Sequence, residues 1–105
     1  MKIYKYIYNG KKIEIKSFDC ILSTTKAGYV TMDNYQKWIS KAEIEILKRD
    51  HIMWSLKKDK VDLFIDLLKA NNNKKVTQFQ RNIEILNEEN DFLERLKAND
   101  NQGYN

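Results

Sequence analysis

The chain of 105 residues has no proline, one cysteine and three glycines. Each shortage excludes something. A chain without proline favours long regular elements over many irregular loops. Cys20 cannot close an internal disulfide, so a reducing, cytoplasmic setting is the expectation. No stretch approaches the roughly 20 apolar residues that span a bilayer, and no membrane partner is expected. The opening MKIYKYIYNG alternates Lys and Tyr and lacks the continuous apolar core of a signal peptide. Gly10, Gly28 and Gly103 are too scattered to build a phosphate loop or a dinucleotide fingerprint.

Catalytic and metal chemistry are equally short of residues. One His and one Cys cannot supply a zinc site within one chain. Cys20 and His51 could in principle pair as nucleophile and base. Cys20 follows an apolar strand phase, however, and His51 occupies a core-facing position in a helical pattern, so both read as structural. Glu88 and Glu89 sit on a solvated helix face, with no apolar pocket to raise a carboxyl pKa. The expectation is therefore a protein that is not an enzyme, with no catalytic residues, no metal and no cofactor.

What is present fits one small domain: 42% hydrophobic and 32% charged residues in a length that allows one modest core. The formal net charge of +4 is unevenly spread, at +4 over residues 1–26, +3 over 27–75 and −3 over 76–105. A basic front and an acidic rear suggest an oriented particle.

Residues 1–39 read as an antiparallel β-meander of three or four strands. Asn9-Gly10 signals a two-residue hairpin turn, which places Tyr6 opposite Ile13, Tyr4 opposite Ile15 and Lys5 opposite Glu14. One face then collects Tyr4, Tyr6, Tyr8, Ile13 and Ile15 as core. The other collects Lys5, Lys12 and Lys16, a basic face that could bind a partner. Phe18, Cys20 and Leu22 have the opposite phase, and a bulge near Ser17 would restore a single buried face. STTKAG, residues 23–28, reads as a turn. Tyr29–Met32 and Tyr35–Ile39 read as further strands around Asp33-Asn34, with a helix starting at Asp33 as the competing reading.

Ser40-Lys41-Ala42-Glu43 has capping-box spacing, which predicts a helical segment over 40–70. Ile44, Leu47, His51, Trp54, Val61, Ile65 and Leu68 follow in steps of three and four, apart from a gap at Lys58. Whether this is one helix, or two with a break between Ser55 and Asp59, stays open. Asn71–Asn73 should interrupt it. A last helix follows over 75–97, and 98–105 reads as a disordered tail.

That last helix carries coiled-coil-like heptads, with Val76, Ile83 and Asn90 at a and Phe79, Leu86 and Leu93 at d. Ile85, Phe92 and Leu96 form a second stripe. Three burial schemes compete: a hairpin back onto the preceding helix, a coiled coil between two copies, and insertion into a foreign protein. In a parallel dimer Glu89 would face Glu94 of the other copy, and an antiparallel one avoids that contact.

The opening YKYIYNGKKIEIK, the segment HIMWSLKKDK and the closing heptads resemble small accessory proteins of phages and mobile elements from AT-rich Gram-positive-type bacteria. The resemblance implies stoichiometric work, such as occupying a host protein, defence nucleases included, or tuning a regulator. Together these readings give an α+β fold with two or three helices after the meander. The expected function is non-catalytic protein binding, as in an inhibitor of a host defence system, with self-association as a homodimer through the last helix. The alternative is a nucleic-acid-binding regulator using the basic sheet face.

Overall fold

The first hairpin forms where the alternating Lys, Tyr and Ile residues predict it, in a different register. The structure is a computed structural model that describes residues 1–103, with side chains through residue 97. Strand β1 (Lys2–Tyr8) pairs antiparallel with β2 (Ile13–Ser23). Tyr6 lies opposite Ile15, Tyr4 opposite Ser17 and Lys5 opposite Lys16, not Ile13, Ile15 and Glu14 as expected. The turn explains the difference. The Asn9 N–H donates to the Lys12 carbonyl at 3.3 Å, and Gly10 has φ 92° while Lys11 has no positive φ. Gly10-Lys11 is therefore the central pair, with Gly first as in a type II′ turn. The Asn9 side chain accepts the N–H groups of Lys11 and Lys12, both at 2.9 Å, and so sits just before the turn. A slip of two residues preserves which side chains share a face.

The buried face is not single. Tyr6 is fully buried with Met53 and Phe64, and Tyr4 and Ile13 pack against that cluster. Ile3 is fully buried in another cluster with Cys20, Tyr29, Ile39 and Trp54, against which Phe18 packs. Successive residues of a strand point to opposite faces, so the sheet has a core on each side. β2 runs unbroken through Ser17, and the bulge expected there is absent. Its change of phase has a different cause: Ile13 serves one core, and Phe18 and Cys20 the other. Tyr8 and Ile15, expected in the core, are exposed.

The remaining strands are β3 (Gly28–Thr31), β4 (Trp38–Ser40), β5 (Leu47–Lys48) and β6 (Ile52–Ser55). The sheet order is β4-β3-β2-β1-β6-β5, with antiparallel ladders throughout. Ile39 on β4 and Trp54 on β6 share one buried cluster, although three strands separate them. The Lys37 ammonium, from the residue before β4, lies 5.5 Å from the Trp54 ring centroid, so the sheet curls across those strands, and Ile44 makes a parallel bridge to Trp54. Gly28 permits β4 to approach, because a Cβ there would lie 2.4 Å from the Ile39 carbonyl oxygen and 2.5 Å from the Trp38 indole nitrogen.

Residues 40–60 are not the expected helix. The Ser40–Glu43 capping box exists, but it caps a single 3-10 turn, Lys41–Glu43, which ends in extended backbone at Ile44. β5 and β6 follow as a hairpin. Its turn residues, Arg49 and Asp50, both have positive φ (52° and 68°), and the His51 N–H donates to the Lys48 carbonyl at 3.1 Å. Met53, Trp54 and Ser55 are buried in succession, as in a strand covered on both faces.

The one long helix, α1 (Val61–Gly103), begins later than predicted. The Phe64 N–H bonds the Lys60 carbonyl at 3.0 Å. The Tyr6 hydroxyl donates to the Lys57 carbonyl at 2.7 Å and accepts the Lys60 N–H at 3.1 Å, which fixes the chain as it enters the helix. Phe64 then packs on the Tyr6 ring, with centroids 5.8 Å apart. α1 passes through Asn71–Asn73 without a break, so no separate 75–97 helix and no helical hairpin exist. Helical Asn costs only about 0.6 kcal/mol relative to Ala, which flanking turns can carry. Helix also replaces the expected tail as far as Gly103; Tyr104 and Asn105 lie outside the described residues. The chain forms two compact units, Met1–Asn71 and Asn72–Asn105. The class is thus α+β as expected, with more strands and fewer helices.

Two measurements test this account. Tyr6→Phe leaves the Lys57 carbonyl and Lys60 N–H without their partner and should cost about 1–3 kcal/mol in urea unfolding. The Glu43 carboxyl is held below the usual carboxylate range, first by its hydrogen bond to the Lys48 ammonium and also by the Ser40 N–H, against the opposing effect of burial. A depressed carboxyl stabilises the fold above its ordinary pKa, and that contribution is lost as pH falls through the folded value. Thermal melts should therefore show Glu43→Gln to be less stable than the parent at neutral pH, with the gap closing in acid.

Candidate functional site

Two surfaces concentrate the features that can do work, one in each unit. The first lies in Asn72–Lys97, where every side chain is exposed. The heptad residues Val76, Phe79, Ile83, Leu86 and Leu93 are all exposed, Phe79 to 63%. So are Ile85, Phe92 and Leu96 of the second stripe, the least of them Leu96 at 40%. A contiguous apolar patch of this kind marks an interaction surface more often than it occurs by accident. Charge is also graded along this helix. Residues 72–82 hold Lys74, Lys75 and Arg81 and no acid, a net +3. Residues 83–97 hold Glu84, Glu88, Glu89, Asp91 and Glu94 against Arg95 and Lys97, a net −3.

The second surface lies on the sheet, on the side that holds Ile3. Lys5 is opposite Lys16 across one ladder and opposite Trp54 across the other. The Lys5 and Lys37 ammoniums each lie 5.5 Å from the Trp54 ring centroid. Phe18 supports the same indole at 5.8 Å. The Lys5 pKa is pushed below the usual lysine value, chiefly by burial and then by repulsion from Lys37, Lys16 and Arg49. Lys5, Lys16 and Lys37 thus share one face. Lys2, Lys12, Lys48 and Lys60 each reach a carboxylate. Lys5, Lys16 and Lys37 are in none of these pairs, and neither are Lys11, Lys26, Lys41, Lys57, Lys58 and Lys69.

Of the basic face expected from sequence, Lys5 and Lys16 do come together. Lys12 lies beside the hairpin turn, with its ammonium 3.3 Å from the Glu14 carboxylate. Lys37 went unread, because only the folded sheet brings it to Trp54, and its sequence surroundings, with Asp33 four residues before it, carried no signal.

Cys20 is buried in the sheet core, and burial pushes its thiol pKa up, which favours the inert protonated form. His51 is half-buried beside the β5–β6 turn, not on a helix, with its Nδ1 against the Arg49 carbonyl. Among the described residues no three His, Cys, Asp or Glu side chains gather where a metal could bind. No helix among them is long and apolar enough to cross a membrane. Comparison with family models, curated proteins and solved structures finds no match to this chain.

The like-charged Lys5–Lys16 pair has a measurable consequence. Replacing Lys16 by Glu sets opposite charges across the ladder, and should raise stability by roughly 0.2–1 kcal/mol. A higher urea midpoint for Lys16→Glu, shrinking as salt is added, is the expected outcome.

Proposed function

We propose that this protein is a non-catalytic binding module that self-associates through α1. The supporting observation is the exposure of both apolar stripes between Asn72 and Lys97. The occupant that fits best is a second copy lying antiparallel. Centring the pair between Glu84 and Ile85 places Val76 against Leu93, Ile83 against Leu86, and Phe79 against Asn90 of the other copy. The basic half of each helix then faces the acidic half of the other, and Glu89 avoids Glu94. In a parallel pair Asn90 would meet Asn90, a known register device, but like-charged halves would align along the whole seam.

Magnitudes set the strength. Hiding about ten half-exposed seam side chains at about 1 kcal/mol each gives about 10 kcal/mol. Association costs about 4–15 kcal/mol before any surplus appears. The dimer should therefore be weak, in the micromolar range or above. On this reading the protein acts stoichiometrically, by occupying surfaces. Occlusion of a host defence protein, which the resemblance to phage accessory proteins implies, is one form of that action.

Light scattering across a concentration series tests the reading. The parent should move from monomer toward dimer mass as concentration rises, and Ile83→Asp should stay monomeric with unchanged near-ultraviolet dichroism. A parent that remains monomeric at millimolar concentration overturns self-association. A variant that loses its tertiary dichroism shows that Ile83 belongs to a core.

A further inference from the structure

The geometry points to a second binding site, independent of the α1 reading: the face formed by Lys5, Lys16 and Lys37 takes the phosphate backbone of a single-stranded nucleic acid. Four observations converge on it.

The first is a cost without a structural return. Lysines directly opposite each other across a ladder destabilise a sheet, and Lys5 and Lys16 are so placed. Lys37 and Arg49 add repulsion at the same point. An anion on this face would relieve all of it at once.

The second is how the cations are held. Both ammoniums rest on one buried indole, each 5.5 Å from its centroid, so they stay within about 11 Å of each other. Trp54 is itself fixed by Phe18 and by its place in the core cluster. Charges on a rigid floor lose less side-chain freedom on binding than free surface lysines do.

The third is the balance of charge. Lys5 and Lys16 belong to none of the ion pairs of the unit, and Lys37 is near Glu43, whose carboxyl is itself bonded to Lys48. Lysine outnumbers acid on this face.

The fourth separates a nucleic acid from an acidic protein. Tyr35, two residues before Lys37, is 86% exposed, the most exposed large hydrophobic residue described. A solvent-facing ring this near in sequence to one of the cations offers an unpaired base a surface to stack on, whatever its identity. An acidic peptide would gain nothing comparable from it. Duplex DNA keeps its bases stacked inside, so the ring favours a single strand.

Fluorescence anisotropy with labelled mixed-sequence DNA and RNA single strands tests this on the full chain. Three neutralised phosphates give a log–log salt slope of about −2, or roughly a 20-fold loss of affinity between about 50 and 200 mM salt. Lys16→Glu should weaken binding at least tenfold while its urea midpoint rises, which separates lost contact from lost fold. Tyr35→Ala should weaken it by about tenfold. Lys12→Glu, outside the cluster, should change it less than twofold.

The site is wrong if no strand binds at low salt, or if Lys12→Glu costs as much as Lys16→Glu. Polyglutamate displacing the label as well as an unlabelled strand does would also overturn it, and would assign the face to an acidic protein. A duplex that binds as tightly as the single strand, with Tyr35→Ala silent, removes the stacking role and with it the single-strand assignment.

Discussion

Everything in the Met1–Asn71 unit depends on β1 being buried on both faces and paired along both edges. β2 lies on one edge and β6 on the other. Ile3 and Tyr6, three residues apart, anchor different cores. Fully burying one such side chain is worth roughly 1.5–3 kcal/mol, and a domain this small has few to spare. Dividing the apolar side chains between two cores leaves each core thin, and the polar contacts compensate. The Thr31 hydroxyl donates to Asp33 at 3.0 Å and accepts the Lys37 N–H at 2.9 Å. The Ser55 hydroxyl donates to Glu45 and accepts the Lys57 N–H. No buried side-chain nitrogen or oxygen among the described residues lacks a partner. Each of these bonds ties a connection to the sheet, so strand ends are fixed where apolar contact alone would leave them loose.

A central strand leaves few positions free to vary, which makes Lys5 informative. It is half-buried between Lys16 and Trp54. An apolar residue would pack on Trp54 at least as well, and would remove three repulsive contacts. Local violations of good folding practice gather where function is served. Arg49 is a second violation, in the turn between β5 and β6, since its φ of 52° suits Gly or Asn far better than Arg. Neither residue is explained by the stability of the sheet.

The parts legible in the sequence were those governed by one local rule. Alternation gave the first hairpin and its shared faces, and the change of phase at Ser17 was a true signal with a misjudged cause. The capping box at Ser40–Glu43 was also real. Its length was not legible, because nothing within four residues says whether a capped turn continues. Ile44, Leu47, His51 and Trp54 fell on a helical spacing by coincidence, while their burial comes from pairing with β1 and from the curl. The hairpin between β5 and β6 was invisible because its positive-φ positions hold Arg49 and Asp50 and no Gly. Part of the cationic face was readable from the parity of Lys5 and Lys16. Lys37 was not, since only tertiary closure brings it to Trp54.

The α1 segment in the second unit poses the opposite problem. There the heptad was plain, and every side chain that defines it is exposed. Exposed helix must be held by intrinsic propensity and by short-range pairs such as Gln78 with Asn82 and the Thr77 hydroxyl with the Asn73 carbonyl. Pairs of this kind contribute about 0.2–0.5 kcal/mol each, and the Asn, Thr and Phe in this stretch are middling helix formers. Helical stability in proteins comes mostly from packing an apolar face. On the proposed reading, the contact that hides the seam is therefore also what offsets the weak propensity. Association and helix formation in Asn72–Lys97 then become one coupled equilibrium, in which diluting the protein loosens the helix as well as separating the copies.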